Sequence, residues 1–247
     1  MFSPQLNSKF ITCFTVILLC FTASVCEAQR LHPKVKNKAH QIQKIVVLPA
    51  TVSFGRIGMK GVQTKQSEAV NIEPQIERAV AKEFSNKKMT VLPSPFTEEE
   101  LAKNKDLNLA LAQVQGDFDQ LLRVMSRKAK DVEKGRFSLS DKVILLNQDD
   151  QVDAFVFIRA VGLETSKGKK AFSILMAPIN PATLVGLVSI SQVWVTMVDA
   201  RSGEVLAHRS VVMLSNLKKG NESDFDKMFA GSFKKLADAN TTPSVKK

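Results

Sequence analysis

The chain has 247 residues and a formal net charge of +11, with 35 Lys and Arg against 24 Asp and Glu. This length fits one domain behind a short leader, and the charge favours an anionic neighbour such as a phospholipid surface, an envelope polymer or an acidic protein. Nucleic acid is not expected, because the chain has no Tyr and one Trp, and no aromatic residues lie among its basic clusters to stack on bases.

The start of the chain, residues 1–28, predicts a cleaved secretory signal peptide. Lys9 supplies a positive charge, residues 10–25 form an apolar run, and Ala28 is a small residue suited to cleavage. The run is shorter than the roughly 20 residues of a membrane span, so export is favoured over a retained signal anchor, which is the alternative. A lipid anchor at Cys26 is a second alternative, although the residues before it match a bacterial lipobox poorly.

The cysteines set how the exported part of the chain must be stabilised. All three, Cys13, Cys20 and Cys26, lie in the leader, so the mature chain is cysteine-free. It therefore has neither disulfides nor thiolate metal ligands and depends on a hydrophobic core. The next residues, 29–43, are polar and basic with no apolar period, and they predict a flexible tether.

The first elements of the domain alternate between strands and helices. Residues 44–49 form a β-branched strand that residues 50–54 continue past a bulge at Pro49. A helix follows that has Pro74 in its first turn, buries Ile76, Val80 and Phe84, and stops near Asn86.

A second strand and a long helical region come next. The strand covers residues 89–93, and Thr97 with Glu100 forms a capping box that opens the helical region. Its buried stripe is predicted at Leu107, Leu111, Val114, Phe118, Leu121, Leu122 and Met125.

The second half of the chain predicts mostly strands. One strand begins at residue 153, and residues 190–198 and 204–212 form a hairpin around Gly203. A final helix has Ser223 and Asp226 as its capping box and buries Phe225, Met228, Phe229, Phe233 and Leu236. Residues 239–247 predict a disordered tail.

These elements predict an α/β (α+β) fold with a single mixed sheet whose late strands are antiparallel and whose faces are covered by helices. The domain is expected to span residues 44–238, with an apolar insertion at 172–188. One common core is predicted to contain Val47, Leu48, Phe155, Phe157, Val195 and Phe233.

No residue pattern in the sequence indicates catalysis. The chain has three histidines without metal-ligand spacing, and it has no G-x-S-x-G motif. Glu98, Glu99 and Glu100 fall in the first turn of a helix, where negative charge is favoured by the helix dipole. We therefore expect a protein that is not an enzyme and that uses no metal or cofactor.

Two segments are candidates for binding. The first is a glycine-punctuated loop after the first strand, a candidate anion site comprising Gly55, Arg56, Gly58, Lys60 and Gly61, with a mobile surface loop as the alternative. The second is the apolar insertion, which is interrupted by Pro178 and Pro181 and forms either an extra layer of core or a contact surface for a partner, a second copy or the membrane interface. Its candidate contact residues are Phe172, Ile174, Leu175, Met176, Ile179, Leu184, Val185 and Leu187.

Three short motifs resemble landmarks of a known group of bacterial envelope proteins. They are Ile-Val-Val-Leu-Pro at 45–49, Val-Asp-Ala-Phe-Val-Phe at 152–157 and Val-Asp-Ala-Arg-Ser-Gly-Glu-Val at 198–205. These resemble the "VLP" strand, the "ADA" strand and the "vDxxtGe" hairpin of CsgG-like, LpoB-like and TolB amino-terminal-like domains. The resemblance covers about residues 44–237. It implies a periplasmic or outer-membrane-associated domain that binds other envelope components.

The expected function is therefore that of a secreted or periplasmic envelope accessory or assembly protein. Its partner is expected to be an envelope protein or an anionic envelope component, and a homo-oligomer or peripheral membrane association is compatible with the sequence. The alternative is a binding module for an anionic ligand, either a lipid head group or a phosphate-bearing small molecule.

Overall fold

The computed structural model describes residues 29–38, 40–58, 61–64, 69–139, 141–147, 151–167, 169–170, 190–213 and 222–240. The strands are β1 (Arg30–Leu31), β2 (Lys44–Val47), β3 (Thr51–Gly58), β4 (Gly61–Thr64), β5 (Thr90–Leu92), β6 (Ala154–Thr165), β7 (Ile190–Asp199) and β8 (Val205–Met213). The helices are α1 (Pro33–Lys36), α2 (Glu73–Asn86), α3 (Glu98–Lys103), α4 (Lys105–Lys128), α5 (Glu222–Phe229) and α6 (Lys234–Asn240). Two 3₁₀ helices cover Ala129–Lys134 and Asp141–Leu146. Within these ranges no helix is both long and apolar enough to span a bilayer.

All eight strands belong to one mixed sheet, which confirms the predicted fold class. The strand order is β1-β8-β7-β6-β2-β5, and β3 pairs with both β6 and β4. Strands β5, β2 and β6 run parallel to one another, whereas β7 is antiparallel to both β6 and β8. The predicted hairpin around Gly203 is β7–β8, and Gly203 has a φ of 71°.

Strand β3 continues β2 along β6, as the sequence predicts. Val47 pairs with Val156 and Thr51 pairs with Arg159, so the segment around Pro49 holds one residue more than the matching segment of β6. A proline has no N–H for the ladder, and a bulge accommodates it at this position.

The hydrophobic core is divided into two clusters, so the prediction of one common core is wrong. Val47 and Val195 pack with Phe233 in the cluster that contains the apolar sides of α2 and α5. Leu48, Phe155 and Phe157 are buried in a second cluster, which contains the stripe of α4. The physical reason is that successive residues of a strand point to opposite faces, and both faces of this sheet are covered by helices. All six residues predicted for the core are buried.

Helices α2 and α3 begin as the sequence predicts, but the single long helical region that it predicts after Thr97 is divided at Asn104 into α3 and α4. Pro74 lies in the first turn of α2, whose Ile76, Val80 and Phe84 are fully buried. Thr97 Oγ1 accepts a hydrogen bond from the Glu100 N–H at 3.3 Å, which caps α3. The Glu100 carboxylate instead binds Lys103 Nζ at 3.2 Å, so only one half of the predicted capping box forms. Asn104 then caps α4, and the predicted stripe of α4 is buried except for the partly buried Leu121.

Residues 29–43 differ from the flexible tether that their composition predicts. Strand β1 pairs with β8, and His32 caps α1 by accepting a hydrogen bond from the Lys34 N–H at 3.1 Å. Leu31, Val35 and Ile42 are buried in the α2 cluster. These apolar residues are too widely spaced to produce a period, and the edge of β8 supplies the pairing partner that a local pattern does not show.

The carboxyl-terminal part contains two helices where one was predicted. Gly231, with a φ of 70°, lies between α5 and α6, and a left-handed residue ends an α-helix. Ser223 lies inside α5, so it does not provide the cap. Of the residues predicted to be buried, Phe225, Phe229, Phe233 and Leu236 are in the core, because the turn keeps both helices on the same face, and Met228 is only partly buried against it.

Candidate functional site

The ends of the long strands pair with one another outside the two hydrophobic clusters, and we call this part of the sheet the β-arm. We define the β-arm as β4 together with residues 53–58 of β3, 161–165 of β6, 190–192 of β7 and 211–213 of β8. Its strands are joined by the pairs Ile57–Val62, Gly55–Leu163 and Leu163–Ile190. None of its described residues belongs to either hydrophobic cluster.

One side of the β-arm carries a row of apolar side chains that are only partly covered. From the strand register and the alternation of side chains, Ile57, Val62, Val161, Leu163, Ile190 and Val212 share this side, which we call the apolar arm face. Val62 is 64% exposed and Ile190 is 40% exposed, and the other members are partly exposed. Apolar side chains grouped on one exposed sheet face are typical of a contact surface.

Gly55 allows the arm face to be continuous across β3. A Cβ atom at this position would lie 3.1 Å from Val62 Cγ1 and 3.2 Å from Leu163 Cδ2. Both distances are tighter than ordinary van der Waals contact, so a side chain here would separate the two neighbours. The glycine that the sequence assigned to an anion loop therefore has a packing role in the sheet.

The predicted glycine loop is a β-hairpin, so the loop interpretation is wrong. Gly55, Arg56 and Gly58 lie in β3, Gly61 begins β4, and Lys60 lies outside the described residues. The physical reason is that residues 51–57 pair continuously with β6, and β4 then adds to β3 as an antiparallel strand. Arg56 Nη2 is 3.1 Å from Glu164 Oε2, so an anion at Arg56 would compete with an internal carboxylate. The anion site stays a prediction, and the Arg56→Ala, Lys60→Ala double variant in a phosphate titration is its test.

All the predicted contact residues of the apolar insertion lie outside the described residues. They are Phe172, Ile174, Leu175, Met176, Ile179, Leu184, Val185 and Leu187. The chain enters this segment shortly after β6 and leaves it at Ile190, the first residue of β7. Its two ends are therefore attached to the β-arm.

The histidines are more buried than their sequence positions suggest. His208 is 3% exposed, and its Nδ1 is 2.9 Å from Thr196 Oγ1. Burial lowers the pKa of His208 to about 4. His32 is also buried, and desolvation lowers the pKa of its imidazole.

The third histidine joins the amino-terminal segment to the β7–β8 turn. His40 Nε2 is 3.2 Å from Asp199 Oδ2, while Asp199 Oδ1 accepts hydrogen bonds from the N–H groups of Arg201 and Ser202. This Asp therefore shapes the turn. Among the described residues, no group of three or more His, Cys, Asp or Glu side chains is arranged to hold a metal ion.

Two strand edges of the β-arm are open within the described part of the chain. There, β4 pairs only with β3, and the pairing of β8 with β1 is confined to Ala207 and His208. Within the described residues, positions 210–213 of β8 pair with β7 alone. An open strand edge can add a strand from another chain by backbone hydrogen bonding.

Comparisons with known proteins give structural similarity at low identity. No family model matches the chain, and no curated protein matches it. A PelC dodecamer from Paraburkholderia phytofirmans aligns with a TM-score of 0.41 and 11% identity over 86% of this chain and 97% of that chain. A second PelC dodecamer structure aligns with a TM-score of 0.37 and 12% identity over 86% of this chain and 96% of that one.

A lipoprotein from Neisseria meningitidis also aligns, with a TM-score of 0.39 and 14% identity over 79% of this chain and 99% of that chain. At these scores the fold assignment rests on the strand order and layers of the chain itself. The resemblance to CsgG-like, LpoB-like and TolB amino-terminal-like domains stays a prediction.

Proposed function

We propose that this protein is a non-enzymatic, exported accessory protein of the cell envelope that binds another protein through its β-arm. Export is supported by the predicted leader at residues 1–28. The resemblance of residues 45–49, 152–157 and 198–205 to landmarks of envelope proteins supports the compartment. Peripheral attachment to a membrane, including through Cys26, is compatible with this role.

The observation that carries the proposal is the exposure of the apolar arm face. Val62 and Ile190 expose 64% and 40% of their surface beside partly exposed Ile57 and Leu163. Covering a Val or Ile side chain fully contributes roughly 1.5–3 kcal/mol. Scaled by the exposed fractions of Val62 and Ile190, covering both side chains contributes about 1.5–3 kcal/mol to the free energy of a protein complex.

The open edges favour a protein partner over the acyl chains of a membrane. The outer backbone groups of β4 and of residues 210–213 of β8 have no strand partner in the described part of the chain. In hydrocarbon such groups would lose their hydrogen bonds to water without replacement, whereas a strand from another protein would replace them. A partner that covers both the arm face and an edge is therefore a polypeptide, and a second copy of this chain belongs to that class.

Substitution of the arm face tests the proposal. We expect the Val62→Asp, Ile190→Asp double variant to stay folded. When it is affinity-purified from crosslinked cells, the amount of co-purified envelope protein should be at least tenfold lower than with the parent. The matched control is Val70→Asp with Leu109→Asp, because both side chains are 59% exposed and lie outside the β-arm.

Three results separate the possible outcomes of this test. Equal recovery by the two double variants would contradict the proposal. Loss of membrane co-fractionation with no change in recovered protein would assign the arm face to lipid instead. If the Val62→Asp, Ile190→Asp variant loses self-association and the control double variant does not, the partner is a second copy of the chain.

A further inference from the structure

A cavity of about 350 Å³ lies where the first described residues meet the last helix. It is lined by Gln29, Leu31, Lys36, Lys38, Glu133, Lys235 and Asp238. These residues come from β1 and the residue before it, the end of α1 and the turn after it, the 3₁₀ helix Ala129–Lys134, and α6. The volume falls within the range of small-molecule sites.

Gln29 leaves a buried hydrogen-bond donor beside this cavity. The residue is 4% exposed, and its Oε1 accepts a hydrogen bond from the Lys235 N–H at 3.1 Å. Because a backbone N–H can only donate, this contact fixes which end of the amide is the oxygen. The other end, Nε2, is buried and has no partner among the described residues. A buried N–H donor without a partner favours the binding of a ligand that supplies a hydrogen-bond acceptor.

The charges around the cavity favour an anionic acceptor. Three lysines line it against two carboxylates, and one of these, Glu133, is already bound by Arg30 at 2.9 Å. The hydrogen bond from Arg30, together with the charges of Lys36 and Lys235, lowers the pKa of the Glu133 carboxyl. Both ammonium groups are therefore close enough to act on a charge in this region.

We propose that this cavity binds a phosphate group, which accepts a hydrogen bond from Gln29 Nε2 and pairs with Lys36 and Lys235. Phosphate fits because its several acceptor oxygens can meet an amide donor and two ammonium groups at once. The group can come from a soluble phosphate ester or from the head group of an anionic phospholipid.

Titration of the purified protein with glycerol 3-phosphate tests the proposal, and flotation with phosphatidylglycerol vesicles against phosphatidylcholine vesicles tests the lipid source. We expect Lys36→Ala with Lys235→Ala to weaken binding about tenfold. Gln29→Glu should weaken it similarly, because the change replaces the donor by a like charge while keeping an oxygen for the Lys235 N–H. The control, Lys105→Ala with Lys227→Ala, removes the same charge from exposed positions outside the cavity and should stay within twofold of the parent.

The glycerol 3-phosphate titration and the vesicle flotation together show whether the cavity binds phosphate and which molecule supplies it. Saturable binding of glycerol 3-phosphate that depends on Lys36 and Lys235 supports a soluble ester, whereas flotation specific to phosphatidylglycerol with the same dependence supports a head group. If the parent binds neither probe, or if the lysine pair and the control pair behave alike, the proposal is overturned. The lysine variants keep the test decisive if Gln29→Glu fails to fold. The proposal does not depend on the β-arm, so it can fail or hold independently.

Discussion

Acidification should destabilise the protein through His208. Burial lowers the pKa of this imidazole to about 4, whereas in the unfolded chain it titrates near its ordinary value of about 6.5. Between these two values the unfolded state binds more protons, so stability falls as the pH drops from 6.5 towards 4 and is fully present above 6.5. From pH 7 to pH 4.5 this difference amounts to a loss of about 2.5 kcal/mol in the free energy of unfolding.

The stability loss due to His208 must be separated from the contributions of other groups that titrate in the same pH range. Burial raises the pKa of the Glu77 carboxyl, which contributes to stability with the opposite sign on acidification. His32, whose pKa is lowered by desolvation, contributes with the same sign as His208. A comparison of the parent with His208→Gln removes these contributions, because both groups are present in both proteins.

Urea denaturation of the parent and of His208→Gln at pH 7 and pH 4.5 provides the measurement. Gln keeps a polar partner for Thr196 Oγ1 but does not titrate. We expect the variant to lose about 2.5 kcal/mol less than the parent between the two pH values. Equal losses within about 0.5 kcal/mol, or an imidazole pKa near 6.5 in a proton NMR titration of the folded parent, would refute the reasoning.

Two further predictions concern packing. Phe157 is 2% exposed and stacks on Phe118 with ring centroids 4.7 Å apart, so Phe157→Ala should cost roughly 3–5 kcal/mol in chemical denaturation, and a loss under about 1 kcal/mol would contradict this packing. Gly135 has a φ of 64° and a hypothetical Cβ only 2.5 Å from His32 Nε2, so Gly135→Ala should lower stability by at least about 2 kcal/mol. Gly231→Ala, with a φ of 70° and nothing within 4 Å, should cost only the left-handed strain of about 1–2 kcal/mol, and an equal cost for both would exclude a contribution from the His32 contact.

The elements with a strong local period could be predicted from the sequence. The buried face of α2, the stripe of α4 and the hairpin around Gly203 all lie where the apolar spacing and turn residues place them. The bulge at Pro49 could be predicted because proline lacks the N–H that a continuous ladder needs.

Features that depend on long-range pairing could not be predicted. The segment 29–43 has no period of its own, and β1 forms because β8 offers an edge to it. The glycines of β3 and β4 resemble an anion loop locally, yet a register with β6 turns them into a hairpin. The apolar arm face combines residues from five strands, so only the unusual length of β6 and β7 could have signalled it.

The buried donor at Gln29 was missed for a similar reason. Its cavity joins the first described residues to α6 across most of the chain, and no sequence spacing reports such a contact. The burial of His208 could not be predicted from the sequence either, since it depends on the packing of the strands around it.

Site-specific photo-crosslinking in cells tests the central claim most directly. A photoreactive residue at Val62, which is 64% exposed on the arm face, should form a discrete adduct with a protein of the envelope or with a second copy of the chain. The same residue at Val70, which is 59% exposed outside the β-arm, serves as the control and should form none. The adduct should also disappear in the presence of Ile190→Asp. Adducts of equal yield at both positions, or none at Val62 in cells that contain the folded protein, would contradict a role for the β-arm in binding a protein partner.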